Sequence, residues 1–295
     1  MSHAPRLRAL LAEDRCLMLP CCWDALSAKL IAQAGFPATF MSGFAVSAAR
    51  LGEPDLGLIS YGEIVDAVRN ITAAAPDLML IADGDTGYGN ALNVERTVKG
   101  YAQAGAAAVM IEDQVAPKRC GHTQGKLVVD RAEAVDRIRA AAHARDSLRK
   151  AGGDILILAR TDARAGHGID EAIWRANAFR EAGADLLFVE APQSEAEMRR
   201  LTGEAPGIHM ANMVEGGKTP IPSLQQLHAL GYRFAIFPLT LFSSAMRAIK
   251  ESLAVMREGR HPTGHVMDFA ELRRDIGFDA YYAAEARYAG ARNAE

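Results

Sequence analysis

Apolar residues in this chain come in eight short runs, and each run stops at a polar or special residue. The runs are Cys16–Pro20, Ala38–Met41, Leu78–Ala82, Ala108–Ile111, Ile155–Ala159, Leu186–Val189, Ile208–Ala211 and Phe234–Phe237. Directly after them stand Cys21-Cys22-Trp23-Asp24, Ser42-Gly43, Asp83-Gly84-Asp85, Glu112-Asp113, Arg160-Thr161-Asp162, Glu190, Asn212 and Pro238. Runs such as Leu-Met-Leu-Ile-Ala are continuously apolar rather than alternating, as expected of parallel strands buried on both faces. Between them lie amphipathic helical patterns, for example Ile173, Ala176, Phe179 and Ala182 at helical spacing. Strands alternating with helices of this length predict βαβ units and a parallel sheet. Eight repeats favour a closed barrel over the rival open, doubly wound sheet, since no phosphate-binding glycine fingerprint is present. The run ends would then gather carboxylates, an arginine and an amide on the C-terminal rim, where such barrels carry their chemistry.

A short phrase marks the joints between helix and strand: Gln33-Ala34-Gly35, Gln103-Ala104-Gly105, Glu181-Ala182-Gly183 and Ala229-Leu230-Gly231, with Gly152-Gly153 as a fifth. Glycine just past a helix end accepts the left-handed conformation that satisfies the last carbonyls. Two segments break the rhythm. Gln114–Val129 holds Pro117-Lys118-Arg119-Cys120-Gly121-His122 and Gly125, and is expected to be a long functional loop. Gly259–Gly264 sets off a final helical stretch, Asp268–Ala291, whose Phe269, Leu272, Ile276, Tyr281, Tyr282 and Tyr288 suit packing either on another subunit or on the chain's own barrel.

Composition narrows the class. With 295 residues, 49% hydrophobic and 23% charged, the chain fits one large globular α/β domain. A net charge of −3 gives no reason to expect nucleic acid or a membrane surface as partner. No signal peptide or spanning run is visible, so a cytoplasmic location is expected. Cys16, Cys21, Cys22 and Cys120 have no regular spacing and are expected to be reduced thiols.

The rim residues carry candidate chemistry. Asp83-Gly84-Asp85 and Glu112-Asp113 would form an oxygen-rich site on neighbouring strands, suited to a hard divalent cation such as Mg²⁺, with Mn²⁺ as the alternative. Helix capping by these aspartates is the competing role. Arg160 offers a planar fork that grips carboxylates, and serves either an anionic substrate or the neighbouring acids as counter-ion. Cys120, between Lys118, Arg119 and His122, has cations that favour its thiolate, although a lone cysteine flanked by bases is usually inert.

Ile111-Glu112-Asp113-Gln114 followed by Pro117-Lys118-Arg119-Cys120-Gly121-His122 resembles the signature of the isocitrate lyase and phosphoenolpyruvate mutase superfamily. Agreement extends through Ser42-Gly43, Asp83-Gly84-Asp85-Thr86-Gly87-Tyr88-Gly89-Asn90, Ala159-Arg160-Thr161-Asp162-Ala163, Phe188-Val189-Glu190-Ala191-Pro192 and Asn212-Met213-Val214-Glu215-Gly216-Gly217, from about residue 10 to 285. The resemblance implies a (β/α)8 TIM barrel over 1–258 with a lid loop at 114–129. It also implies a helical segment, 259–295, exchanged between subunits of a homotetramer built as paired dimers. It implies Mg²⁺ held by Asp85 and, through water, by Asp83 and Glu112. Ser42, Gly43, Phe44 and Arg160 would bind the 2-oxy-carboxylate end of a small dicarboxylate. Asp55, Gly121, His122, Glu190, Asn212 and Pro238 complete the implied substrate site.

Within that superfamily, Cys120 resembles the members that break carbon–carbon bonds, where the thiol protonates the departing carboxylate enolate. Members acting on carbon–phosphorus bonds commonly have Asn there. Methylisocitrate lyases carry extra arginines for a third carboxylate near positions that here hold Ser243 and Ala270. The branch of 2,3-dimethylmalate lyases and petal-death-protein-like lyases is most similar. Related oxaloacetate hydrolases have serine where this chain has Pro238. The implied reaction is retro-aldol cleavage of a 2-alkylmalate-type acid to pyruvate or a related 2-oxo acid, with Phe44, Met213 and Leu241 expected to shape the alkyl site.

Overall fold

The computed structural model describes residues 3–119 and 126–289. Eight parallel strands close into a barrel in chain order: β1 (Leu17–Cys22), β2 (Ala38–Met41), β3 (Met79–Asp83), β4 (Ala108–Glu112), β5 (Leu156–Thr161), β6 (Leu186–Val189), β7 (His209–Asn212) and β8 (Tyr232–Phe237). The ring is shut by β1 on β8, with Leu17 opposite Phe234 and Pro20 opposite Phe237. The expected (β/α)8 TIM barrel is therefore the fold. Strand ends run slightly past the apolar runs, so that Asp83, Glu112, Arg160 and Asn212 lie inside the strands that the runs marked.

Strand periodicity separates two layers of core. Successive side chains point to opposite faces, so Met79 and Ile81, Ala108 and Met110, Leu156 and Leu158, and Leu186 and Phe188 fill the barrel interior with Met210, Phe234 and Ile236. Their alternates, among them Leu80, Ala82, Val109, Ile111, Ile157 and Ala159, pack outward against the helices. The inward count continues two residues further to Asp83, Glu112, Arg160 and Glu190. These residues form the top layer of the same interior.

An element that the sequence reading did not anticipate closes the other end. Helix Ala4–Leu11 buries Ala4, Leu7 and Leu11 in the same cluster as the interior strand residues. Its three apolar positions recur at helical spacing and give it one dry stripe.

The helix-to-strand joints have the expected geometry. Gly35, Gly105, Gly183 and Gly231 have φ of 83°, 96°, 107° and 94°, and Gly152 has 84°. All lie in the left-handed region, where a Cβ is costly.

The chain divides into two compact units, Met1–Phe242 and Ser243–Glu295. In the second, the expected single helical stretch is two helices, Phe269–Ile276 and Phe278–Ala289. Gly277 between them has φ 103°, and its backbone N–H donates to Arg273 as a C-cap. The Arg273 guanidinium lies over the rings of Phe269, Phe278 and Tyr282 at 5.8, 5.2 and 5.6 Å. Phe269, Tyr281 and Tyr288 are exposed. Among the described residues, no helix is long and apolar enough to cross a membrane.

The joints make a stability comparison. A Cβ at Gly183 would stand 2.8 Å from the Ala142 Cβ, whereas at Gly35 nothing lies within 4 Å. Gly35→Ala should cost about 1–2 kcal/mol for the left-handed backbone alone. Gly183→Ala should cost clearly more, read as a lower midpoint of urea unfolding followed by circular dichroism.

Candidate active site

The rim layer is built around one arginine. Arg160, on β5, directs Nε and Nη2 to Asp162 at 2.8 and 3.1 Å. Nε also faces Glu112 of β4 at 3.3 Å, and Nη2 faces Glu190 at 3.0 Å. Its guanidinium lies 5.2 Å from the Phe188 ring centre. Glu190 in turn accepts both contacts of the Asn212 amide at 3.3 Å. Three carboxylates share one fixed cation, and all are buried.

A second charge cluster adjoins it. Asp83 ends β3, and its Oδ1 accepts the Asp85 N–H at 3.0 Å while its carbonyl accepts the Tyr101 hydroxyl at 2.8 Å. That turn puts Asp85 in the left-handed region at φ 47°, a conformation that Asp tolerates better than most residues. Lys118 then inserts its ammonium between Asp55 and Asp85, at 2.5 and 2.9 Å. Gly43 is required by close approach: a Cβ there would meet Asp83 Oδ2 at 2.6 Å. The absent side chain lets the Asp83 carboxylate lie against the start of helix Gly43–Leu51, whose cap is Ser42, where the helix dipole favours negative charge.

The titration behaviour shows which sign is in excess. Burial pushes the Asp83 carboxyl up to about 6, with Asp85 adding to it. Burial also raises Glu112 well above the carboxylate range, with Arg160 only partly opposing it. Asp55 is raised by burial despite Lys118 beside it. Burial by itself would lower the Lys118 ammonium, but Asp85, Asp55, Asp83 and Glu112 together hold it well above its ordinary value. Burial is the main cause at the acids, whereas the raised lysine reports the carboxylates gathered around it, which outnumber the cations of the layer.

That excess is the test of whether a divalent cation fits. Among the described residues, no three His, Cys, Asp or Glu side chains converge tightly enough to hold an ion by themselves. Glu112 Oε1 is nevertheless buried without a hydrogen-bond partner, and Asp55 Oδ1 and Asp85 Oδ1 meet only the Lys118 ammonium. Buried carboxylate oxygens lacking donors are suited to a hard cation, and Mg²⁺ needs only one or two of them directly. Asp83, Asp85 and Glu112 therefore fit such an ion, with the Lys118 ammonium as the positive charge now set among them.

A cavity of about 80 Å³ opens onto this layer, lined among others by Ser42, Phe44, Asp83, Arg160, Asn212 and Pro238. Asp55 and Glu190 also line it. Nine of the expected site residues, namely Ser42, Gly43, Phe44, Asp55, Asp83, Arg160, Glu190, Asn212 and Pro238, thus come together there. Asp85 and Glu112 join through Lys118 and Arg160. The expected Cys120, Gly121 and His122 lie outside the described residues. A larger cleft of about 570 Å³, lined by His3, Arg69, Gln103 and Asp154, sits by Leu78 and Ala106 at the strand starts. Its size does not make it the site, because it lies at the strand starts, away from the charged layer at the strand ends.

Three readings of the sequence need correction. Asp113 does not join the oxygen-rich site. It points outward, accepting from the Thr161 hydroxyl at 2.6 Å, the Asp162 N–H at 2.9 Å and Arg175 at 3.0 Å. Its odd place in the strand alternation gives the reason: Glu112 faces in, so Asp113 faces out. Met213 does not shape the cavity, being packed behind it with Met198 and Leu227. Leu241 is not in the lining; Val214 and Leu239 supply the apolar wall beside Phe44. The bridging role of Lys118 went unnoticed in the sequence, where it read only as a neighbour of the thiol.

Comparison with known proteins accords with this geometry. The phosphoenolpyruvate phosphomutase family model matches residues 7–257. A 2,3-dimethylmalate lyase of Eubacterium barkeri is 41% identical, covering 99% of this chain and 100% of that protein. A chloroplastic carboxyvinyl-carboxyphosphonate phosphorylmutase of Arabidopsis thaliana is 40% identical, covering 98% of this chain and 86% of that protein. The solved structure of an oxaloacetate acetylhydrolase with 3,3-difluorooxalacetate superposes with a TM-score of 0.91 at 34% identity, covering 98% of this chain and 97% of that one. The chain belongs to the phosphoenolpyruvate mutase and isocitrate lyase superfamily and is an enzyme of its carbon–carbon lyase group.

Proposed function

We propose that this enzyme cleaves a 2-alkylmalate-type dicarboxylate, of which 2,3-dimethylmalate is the type, to pyruvate or a related 2-oxo acid and a second carboxylic acid. The observation that carries the reading is Arg160, a buried fork on the cavity wall facing acids that outnumber the cations. An α-oxy carboxylate bound there would meet the arginine on one side and the Asp83, Asp85 and Glu112 oxygens on the other. When bound, Mg²⁺ held by those three residues would supply Lewis-acid polarisation of the substrate's hydroxyl and carboxylate oxygens.

The chain's own groups do the rest. Arg160 and the backbone at Ser42-Gly43 hold the carboxylate and steady the charge that develops on the forming oxo group. As a base takes the hydroxyl proton and the C2–C3 bond breaks, the oxygen's electron pair forms the 2-oxo group and the bonding pair passes to the second fragment as an enolate. Cys120 returns a proton to its carbon, with His122 and Gly121 in the same loop. Glu190 and Asn212, fixed to each other, orient the distal carboxylate. Phe44, Val214, Leu239 and Pro238 give the alkyl groups an apolar wall.

Residue identities separate the rivals. Cys120 supports carbon–carbon over carbon–phosphorus chemistry, whatever the name of the plant relative. In sequence, Ser243 and Ala270 stand where the resemblance places two further arginines of methylisocitrate lyases, which argues against a tricarboxylate, since an unpaired buried carboxylate costs several kcal/mol. Pro238 offers no hydroxyl to an oxaloacetate hydrolase reaction, and the Lys118-Arg119-Cys120-Gly121-His122 stretch speaks against an oxaloacetate decarboxylase. The exposed aromatic residues of the C-terminal helices support a segment exchanged within a dimer, two dimers making a tetramer.

A coupled pyruvate assay with 2,3-dimethylmalate, 2-methylisocitrate and oxaloacetate tests the substrate assignment. Turnover is expected to be fastest with the first, and preference for oxaloacetate would overturn the reading. Cys120→Ala should lower turnover by about 10²–10⁴-fold, with Cys120→Ser keeping a trace and Mg²⁺ affinity unchanged. Because the Asp83 pKa is raised to about 6, its charge is lost as pH falls through that value. Mg²⁺ binding, measured calorimetrically, should therefore weaken from pH 7.5 to 5.5, and Asp83→Asn should reduce that dependence, leaving the part due to Glu112.

A further inference from the structure

Arg160 is held from behind as well as from within the cavity. Asp162, which takes its bidentate contact, also accepts the Lys126 ammonium on Oδ1 at 2.7 Å. The lysine side chain is 2% exposed and the aspartate 0%. A lysine so deeply buried is rare unless paired, and this one is paired with the carboxylate that orients the anion-gripping arginine. On the other side of the Asp162 backbone, its N–H is fixed by Asp113, itself pinned by Arg175 and Thr161. Asp162 is thereby over-determined in position, and it fixes the Nε and Nη2 edge of Arg160 in turn.

Charge arithmetic gives Lys126 a second effect. Around Arg160 lie Asp162, Glu112 and Glu190. Without Lys126, the full negative charge of Asp162 would fall on Arg160 alone. The guanidinium would then be more nearly neutralised by its own protein, and its field at the cavity would weaken. With Lys126 in place, Asp162 is shared between two cations and more of the arginine's charge is presented to a ligand.

We propose that Lys126 is a positioning residue for anion binding, acting through Asp162 to orient Arg160 and to preserve its charge for the substrate's carboxylate. The inference rests on the reading of the rim given above, in which Arg160 grips that carboxylate. Lys126 does not touch the substrate itself.

The test uses the full-length protein loaded with Mg²⁺ and oxalate as the probe, a planar dianion. Lys126→Met should weaken oxalate binding about tenfold and raise KM more than it lowers kcat, while Lys126→Arg restores binding to within about threefold. In an Asp162→Asn background, Lys126→Met should have little further effect, because the charge that it shields is gone. Wild-type affinity for oxalate in folded Lys126→Met would overturn the proposal, as would effects of the two substitutions that simply multiply. Absence of oxalate binding by the wild type would overturn it as well. Should Lys126→Met fail to fold, Lys126→Gln carries the same comparison. Oxalate affinity is read without turnover, so an enzyme that cleaves none of the candidate acids but loses oxalate with Lys126→Met refutes the lyase reading and leaves this inference standing.

Discussion

Buried negative charge in excess of buried positive charge is the constraint around which the rim of this barrel is arranged. Asp55, Asp83, Asp85, Glu112, Asp162 and Glu190 meet Lys118, Lys126 and Arg160 in one layer removed from bulk water. Charges in such surroundings are costly unless paired, and here pairing is incomplete on the acid side. The imbalance shows in Lys118, which four carboxylates hold protonated against its burial, while burial itself raises the carboxyls of Asp83 and Glu112. A protein gains no stability from such a layer. It persists because the surrounding barrel is packed well enough to carry it.

The supporting structure is correspondingly dry and rigid. Phe234, Met110, Ile81 and Leu158 fill the interior beneath the charged layer, and helix Ala4–Leu11 closes the floor with Leu7 and Leu11. Arg175 and Arg137 fix the backbone from outside: the first holds Asp113 and the Val129 carbonyl, the second the Glu112 and Gln114 carbonyls. The arginines outside the strands thus brace backbone and loop, whereas the one inside lines the cavity. Packing sets the geometry, and the charges then act from fixed places, which is the condition for electrostatic preorganisation.

Much of this was legible in the residues. Eight apolar runs gave the strands because buried parallel strands leave an unmistakable continuous pattern, and the Ala-Gly phrases gave the joints because only glycine suits the left-handed turn at Gly35, Gly105, Gly183 and Gly231. The rim acids were visible as run ends. What stayed hidden were contacts between residues distant in sequence: Lys118 reaching Asp55, Lys126 reaching Asp162, and Asp113 turned toward Arg175. Asp113 could have been excluded by counting in twos from Met110, because parity alone decides between lumen and helix layer. The roles of Val214 and Leu239 over Met213 and Leu241 depend on loop paths after β7 and β8, which no local pattern encodes.

The two-residue alternation that stacks Ile81 under Asp83, Met110 under Glu112 and Leu158 under Arg160 also limits how such an enzyme can diverge. Inserting or deleting a single residue inside a strand would rotate its terminal group from the lumen to the helix layer and put an aliphatic side chain in its place. Such a change is tolerated only where a bulge absorbs it, as between β7 and β8, where His209 pairs with Tyr232 but Met210 with Phe234. Elsewhere on this scaffold, new specificities arise by exchanging side chains at fixed heights or by rebuilding the loops above them.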